Sequence, residues 1–161
     1  TMSRLDTFIS RMCAQRDILN HIAHDLGLPA EGAVLEVGLG NGRTYSHLRE
    51  LFSDRRVVAF DRALNAHRTV LPEGEDFVMG EINKTGKTFA GAGAALVHAD
   101  IGTGYPDRDA IIVGWLPGLV ADMLQSGGYA VSGLPLEHPQ LEALPRLPTV
   151  EEGRYFMYRR V

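Results

Sequence analysis

The chain of 161 residues is long enough for one domain, and a hydrophobic content of 45% supplies a proper core. A formal net charge of −4, with Lys84 and Lys87 the only lysines and no basic stripe interleaved with aromatics, argues against a nucleic-acid partner. Cys13 is the lone cysteine, so no internal disulfide forms, and with no signal peptide and no membrane-spanning apolar run the expected location is the cytoplasm.

Residues 3–26 read as a helix. Ser3-x-x-Asp6 resembles a capping box with Asp in place of Glu, and Leu5, Phe8, Ile9, Met12, Leu19, Ile22 and Leu26 recur at helical spacing as one apolar stripe. Gly27 and Pro29 end the run. Such stripes are usually core, here against the sheet edge or a partner subunit, which leaves a homo-oligomer through this helix open. The other use is a lid over a ligand, with Gln15 and Arg16 turned towards it. His21 and His24 have the spacing of a metal pair, but no third ligand lies nearby, so they read as surface histidines and no metal is expected.

Residues 33–44 carry the chemistry. The apolar run to Val37 is too short for a helix and reads as a buried parallel strand, followed by a glycine-rich loop at 39–42 and a helix at about 43–53. Gly38, Gly40 and Gly42 permit positive φ and let a ligand approach with no Cβ in the way. The following helix start offers free N–H groups to an anion. A dinucleotide fingerprint needs a third glycine at 43, where Arg43 stands. Glu36, two residues before the first glycine, repels a pyrophosphate and suits a cofactor that carries an ammonium group. Glu36-x-Gly38-x-Gly40-x-Gly42 closely resembles motif I of the class I S-adenosylmethionine (SAM) methyltransferases. That resemblance implies cofactor contacts at Glu36, Gly38, Leu39, Gly40, Asn41, Gly42 and Thr44.

Arg56 to Asp61 is the second strand. Asp61, about 20 residues beyond the glycine loop, stands where a carboxylate holds a ribose diol. It also fits as the N-cap of a short helix over 62–68, and the two roles are compatible. Arg62 would then lie beside the adenine. Asp76 to Ile82 reads as the third strand with its outgoing loop, and the SAM fold implies that Gly80, Glu81 and Ile82 pass the adenine. A helix over Asn83 to about Ala92 is interrupted by Gly86 and Gly91. Ala94 to Asp100 is the fourth strand, the neighbour of the first across the switch point of the sheet, where ligands of open α/β sheets bind. Asp100 at its end is the leading contact for sulfonium and acceptor. His98 shares its face by period two, either as a second catalytic group or, more commonly for such a residue, as a buried hydrogen-bonded one.

Residues 107–125 form an apolar helical pattern that Pro117 should kink or split, and Gly127-Gly128 closes it before the fifth strand at Tyr129–Ser132. After a proline-rich loop, Leu141–Leu147 and Arg154–Val161 suit an antiparallel hairpin. The element order over residues 30–161 looks like the class I SAM methyltransferase fold. That is an α/β, Rossmann-like single domain with a seven-stranded, mostly parallel sheet, an antiparallel last strand and helices on both faces. The segments Leu35–Tyr45, Phe60–Ala63 and Leu96–Asp100 also resemble a small bacterial family of SAM methyltransferases, which implies the cofactor and supplies no substrate. Val97-His98-Ala99-Asp100 followed by Tyr105 is similar to the metal-dependent catechol-type O-methyltransferases. Their Asp-Asn pair after the fifth strand is replaced by Ser132-Gly133, and their lysine after the fourth-strand Asp is missing.

The expected activity is therefore methyl transfer from SAM, with S-adenosylhomocysteine (SAH) as product, to an unidentified small-molecule acceptor. Asp100 and His98 are the catalytic candidates by position, with His138 a third choice as base. A module of the same fold that holds SAM without turnover is the alternative. An NAD(P) oxidoreductase is disfavoured by Glu36, by Arg43, and by the lack of a tyrosine four residues before either lysine.

Overall fold

The computed structural model describes residues 2–161. Helix α1 runs Arg4–His21, and a wider turn over Ile22–Leu26 carries it to Gly27, whose φ of 77° stops it. At its start Ser3 Oγ accepts from the Asp6 N–H at 3.0 Å while Asp6 Oδ2 accepts from the Ser3 N–H at 3.2 Å. Two otherwise unpaired donors are satisfied by this reciprocal cap.

The strands are β1 Val34–Val37, β2 Val57–Asp61, β3 Phe77–Met79, β4 Ala94–Ala99, β5 Leu124–Ser132, β6 Leu141–Ala143 and β7 Phe156–Arg160. They form one sheet in the order β3-β2-β1-β4-β5-β7-β6. The first five are parallel, and β7 inserts antiparallel between β5 and β6. This is the seven-stranded, mostly parallel, Rossmann-like architecture that the resemblance to class I SAM methyltransferases implies. The remaining helices are α2 Arg43–Leu51, the short α3 Ile82–Thr85 and α4 Pro106–Met123. No helix among the described residues is long and apolar enough to cross a membrane.

Period two along each strand divides the core into two layers. Leu35, Val37, Val58, Phe60 and Val97 pack on one face against Leu116, Leu119, Val120 and Met123 of α4. Val34, Ala59, Leu96, Val131 and Met157 pack on the other against Ile18 and Leu19 of α1, Ile22 of the turn that follows it, and Tyr45 and Leu48 of α2. Glu36 and His98 belong to this second layer, since each is two residues from an apolar member of it.

Four local expectations are corrected. The α1 stripe is not one buried face: Ala14, Ile18, Leu19 and Ile22 are buried, whereas Leu5 and Ile9 remain 67% and 50% exposed. The helix is longer than the sheet face beneath it, so its first turns overhang. No helix forms at 62–68, only a single tight turn at Arg68–Val70 capped by His67. The helix expected to reach Ala92 shortens to α3 and a tight turn at Gly86–Phe89, and a Cβ on Gly86 would lie 2.7 Å from Leu119 of α4. Finally, Pro117 sits buried inside one unbroken α4, and Gly127-Gly128 belong to β5, where the pairing with β4 shifts register between Ala94 and Leu96.

Leu19 is fully buried at the junction of α1 and the sheet. Leu19→Ala should cost about 2–5 kcal/mol in urea unfolding, and a loss below 1 kcal/mol would mean that α1 is not docked as described.

Candidate functional site

The carboxyl ends of β1, β2 and β4 meet at the point where strand order reverses, and a cavity of about 590 Å³ opens there. Its floor is the loop leaving β1. Gly38, Gly40 and Gly42 have φ of 93°, 52° and 92°. A Cβ on Gly38 would lie 2.5 Å from Ile101 and 2.9 Å from the Asp100 carbonyl oxygen, so the loops leaving β1 and β4 are pressed together. A Cβ on Gly40 would meet nothing, and this is the side open to a ligand. The walls include Ile82, Ile101, Ile112 and Trp115, and the overhanging turns of α1 roof the cavity with Phe8, Arg11 and Met12.

Two of the three carboxylates lining the cavity are hydrogen-bonded. Asp61 Oδ2 accepts from the N–H groups of Leu39 and Gly40 at 3.1 and 3.0 Å, and Oδ1 from the Arg62 N–H at 2.7 Å. Asp61 thus braces the glycine loop rather than capping a helix. At the end of β4, Asp100 accepts from Arg11 Nη2 at 3.0 and 2.8 Å and from Gln15 Nε2 at 3.0 Å. Gln15 Oε1 in turn accepts from the Thr44 hydroxyl at 3.1 Å, joining α1 to the start of α2. Glu81 faces Arg62 at 3.9 Å.

Of the residues expected at a cofactor, Gly38, Leu39, Gly40, Asn41, Gly42, Thr44, Asp61, Arg62, Glu81, Ile82 and Asp100 all line the cavity. Gly80 and Glu36 do not, and neither does the catalytic candidate His98. Gly80 is turned into the protein, where its N–H bonds the Asp61 carbonyl at 3.0 Å and a Cβ would meet Thr85. Glu36 and His98 are fully buried behind the floor as direct partners, Nδ1 to Oε1, because the β1–β4 register sets them side by side. His98 Nε2 bonds the Tyr155 hydroxyl at 2.6 Å, and Glu36 Oε2 is buried with no partner. Both ring nitrogens of His98 are therefore occupied, and neither reaches the cavity.

Burial raises the Glu36 carboxyl above the ordinary carboxylate range, against the pull of His98. Burial acts to lower His98, but the charge and hydrogen bond of Glu36 outweigh it and the imidazole is raised. Both shifts favour a proton held between the two side chains. Burial, and then the charges of Asp100 and Glu36, push the Tyr155 phenol well above its usual range, so it stays neutral.

Arg11 and Tyr155 were not anticipated. Arg11 sits four residues before Gln15, so one polar face of α1 could have been read as a pair aimed at the site. Tyr155 gives no local signal, since 57 residues separate it from His98. Arg16 is turned away onto Asp17, and His21 lies against Asp25 at 2.7 Å. Among the described residues no group of three or more His, Cys, Asp or Glu side chains is gathered as for a metal.

The family described as S-adenosyl-L-methionine methyltransferase matches residues 2–160. The fold is similar to that of the S-adenosyl-L-methionine methyl transferase of Silicibacter pomeroyi DSS-3, at 39% identity and a TM-score of 0.88, over 99% of this chain and 100% of that one. It is also similar to an SAH-bound methyltransferase of Podospora anserina, at 15% identity and a TM-score of 0.59, over 100% of this chain and 80% of that one. A 16S rRNA adenine methyltransferase of Catenulisporales acidiphilia, solved with SAM, matches at 14% identity and a TM-score of 0.56, over 91% of both chains. No curated protein matches the chain.

Because Glu36 and His98 are both raised, folding binds protons, and their contribution to stability is present at low pH and lost as pH rises through the folded values. For His98 that loss starts above its ordinary 6.5. Thermal unfolding should show Tm falling between about pH 6.5 and 9, and Glu36→Gln, which removes the charge holding up His98, should flatten that slope. A slope unchanged in the variant would contradict the pairing.

Proposed function

This chain belongs to the S-adenosyl-L-methionine methyltransferase family, and from that premise we propose that it methylates a small-molecule acceptor inside the cavity at the switch point. The observation that carries this reading is the roofed cavity itself. Its volume of about 590 Å³ falls in the usual range for small-ligand sites, and α1 overhangs it from above. The rRNA enzyme among the structural relatives shares the fold alone, and the negative net charge of this chain gives no footprint for a polynucleotide.

The residues present fit SAM. Gly40 leaves open space above the loop, Asp61 and Glu81 supply oxygens for ribose hydroxyls, and Ile82 and Ile101 offer apolar walls for an adenine. Arg11 is suited to the amino-acid carboxylate and Asp100 to the ammonium group, so the ion pair they form with each other already holds complementary charges in place. SAM supplies an electrophilic methyl carbon on a sulfonium.

The chain's own contribution is positioning and exclusion of water. Arg11 and Gln15 fix Asp100 through three hydrogen bonds, and Thr44 fixes Gln15. The Glu36–His98–Tyr155 line stiffens the floor from behind rather than touching a ligand. Phe8 and Met12 cover the cavity from α1. Of the two proton acceptors expected at the end of β4, only Asp100 reaches the cavity, and its oxygens are engaged in orientation.

Calorimetry should give heats for SAM and SAH and none for NAD or NADP; tight NAD binding without SAM binding would overturn the reading. Asp61→Ala should weaken SAH binding about 10–100-fold, the size of a hydrogen bond to a charged group. Unchanged affinity in a folded variant would reduce Asp61 to a brace of the loop.

A further inference from the structure

The titratable groups lining the cavity are three arginines (Arg11, Arg43 and Arg62) and three carboxylates (Asp61, Glu81 and Asp100). No histidine, cysteine or lysine is among them. Asp100 is held by Arg11 and Gln15, Asp61 by three backbone N–H groups, and Glu81 faces Arg62. His98 is sealed behind the floor. With Asp61 and Glu81 given to the ribose and Asp100 to the ammonium group in the SAM reading above, the loaded cavity keeps no side chain placed to serve as a base. Arg43 alone of the three arginines has no ion pair among the described residues; its guanidinium stands 5.8 Å over the ring of Phe8 at the roof. A spare cation beside apolar surface, and no free base, is an unusual pairing for a site meant to deprotonate an alcohol or an amine.

We propose that the acceptor is an apolar carboxylic acid, bound as its carboxylate by Arg43 with its body against Phe8, Met12, Ile112 and Trp115, and converted to a methyl ester. The inference rests on the methyltransferase reading above and adds the substrate class. Charge favours it. The lining charges cancel, and SAM brings a net positive charge, so a carboxylate neutralises the loaded cavity. The chemistry also balances without a base. A carboxylate oxygen lone pair forms the new bond to the methyl carbon, the carbon–sulfur bond breaks with its electron pair going to sulfur, and no proton is transferred. An alcohol or ammonium acceptor must shed a proton that no side chain here is free to receive.

The test uses the full chain loaded with SAH and three probes of one shape: 3-phenylpropionate, 3-phenylpropanol and 3-phenylpropylamine. Calorimetry should show the acid bound at least about tenfold more tightly than the other two. Arg43→Gln should lower acid binding about tenfold or more and leave SAH affinity within about twofold, the loss expected for a charged hydrogen bond. With SAM carrying a labelled methyl group, the product should release label as methanol in mild alkali, as esters do and ethers and methylamines do not. At saturating SAM and below the pH at which the fold weakens, the rate at low acid concentration should show no rise of the kind a general base gives on losing its proton, since the acid is already ionised. Preference for the amine or alcohol, alkali-stable product, no binding of the acid, or loss of SAH binding in Arg43→Gln overturns the carboxylate proposal and leaves the methyltransferase reading standing. Failure of the unaltered chain to bind SAH overturns both.

Discussion

The ion pair between Arg11 and Asp100 ties the molecule together at the point where ligands enter open α/β sheets. Asp100 ends β4 and Arg11 lies in the third turn of α1, 89 residues away in sequence. The contact is part-buried, and the Asp100 side chain keeps only 20% of its exposure, so the charges are less screened than a surface pair. Gln15 adds a third hydrogen bond one turn further along α1 and passes the constraint to Thr44 at the start of α2. Three segments that share no local sequence are thereby held in one geometry. The apolar docking of α1 on the sheet and this clamp together hold Phe8 and Met12 over the cavity.

Under the clamp lies a second polar layer that does not reach the ligand side. Glu36, His98 and Tyr155 form a buried line in the core layer facing α1 and α2. Burying a carboxylate and an imidazole in an apolar layer is costly unless they pair, and here they pair directly. The free oxygen of Glu36 is an orphan in that line. The arrangement makes the floor of the cavity stiff and electrically committed, which leaves recognition to the groups above it.

The glycine loop shows how one set of residues meets two demands. Gly38 and Gly42 are glycine because neighbouring loops press on them, while Gly40 is glycine because a ligand must approach. Asp61 holds the loop in that shape through the N–H groups of Leu39 and Gly40. A carboxylate placed to contact a nucleoside therefore also pre-forms the surface it lies on, which reduces the ordering that binding must supply.

Strand and loop identity were legible from the sequence because they follow from local chemistry. Apolar runs of four to six residues make buried parallel strands, and alternate glycines make a tight turn with positive φ. These rules placed β1, β2 and β4, the glycine loop, and both Asp61 and Asp100 at strand ends, and with them the floor of the cavity. Helix lengths at 62–68 and 83–92 were not legible, because Asp61 was taken by the glycine loop and Gly86 by the approach of Leu119. The roles of Glu36 and His98 were not legible either. Period two assigns each side chain a face, but whether that face opens on a ligand or closes on another side chain depends on what packs over it. Register between β1 and β4 put Glu36 against His98, and the chain's return through Tyr155 sealed them. By itself the sequence determined the order of elements and, through the family resemblance its motif carries, the fold and the kind of cofactor, because both are read from residues adjacent in the chain. Only the tertiary structure decided which polar groups face the cavity, because that rests on contacts between segments 57 to 89 residues apart.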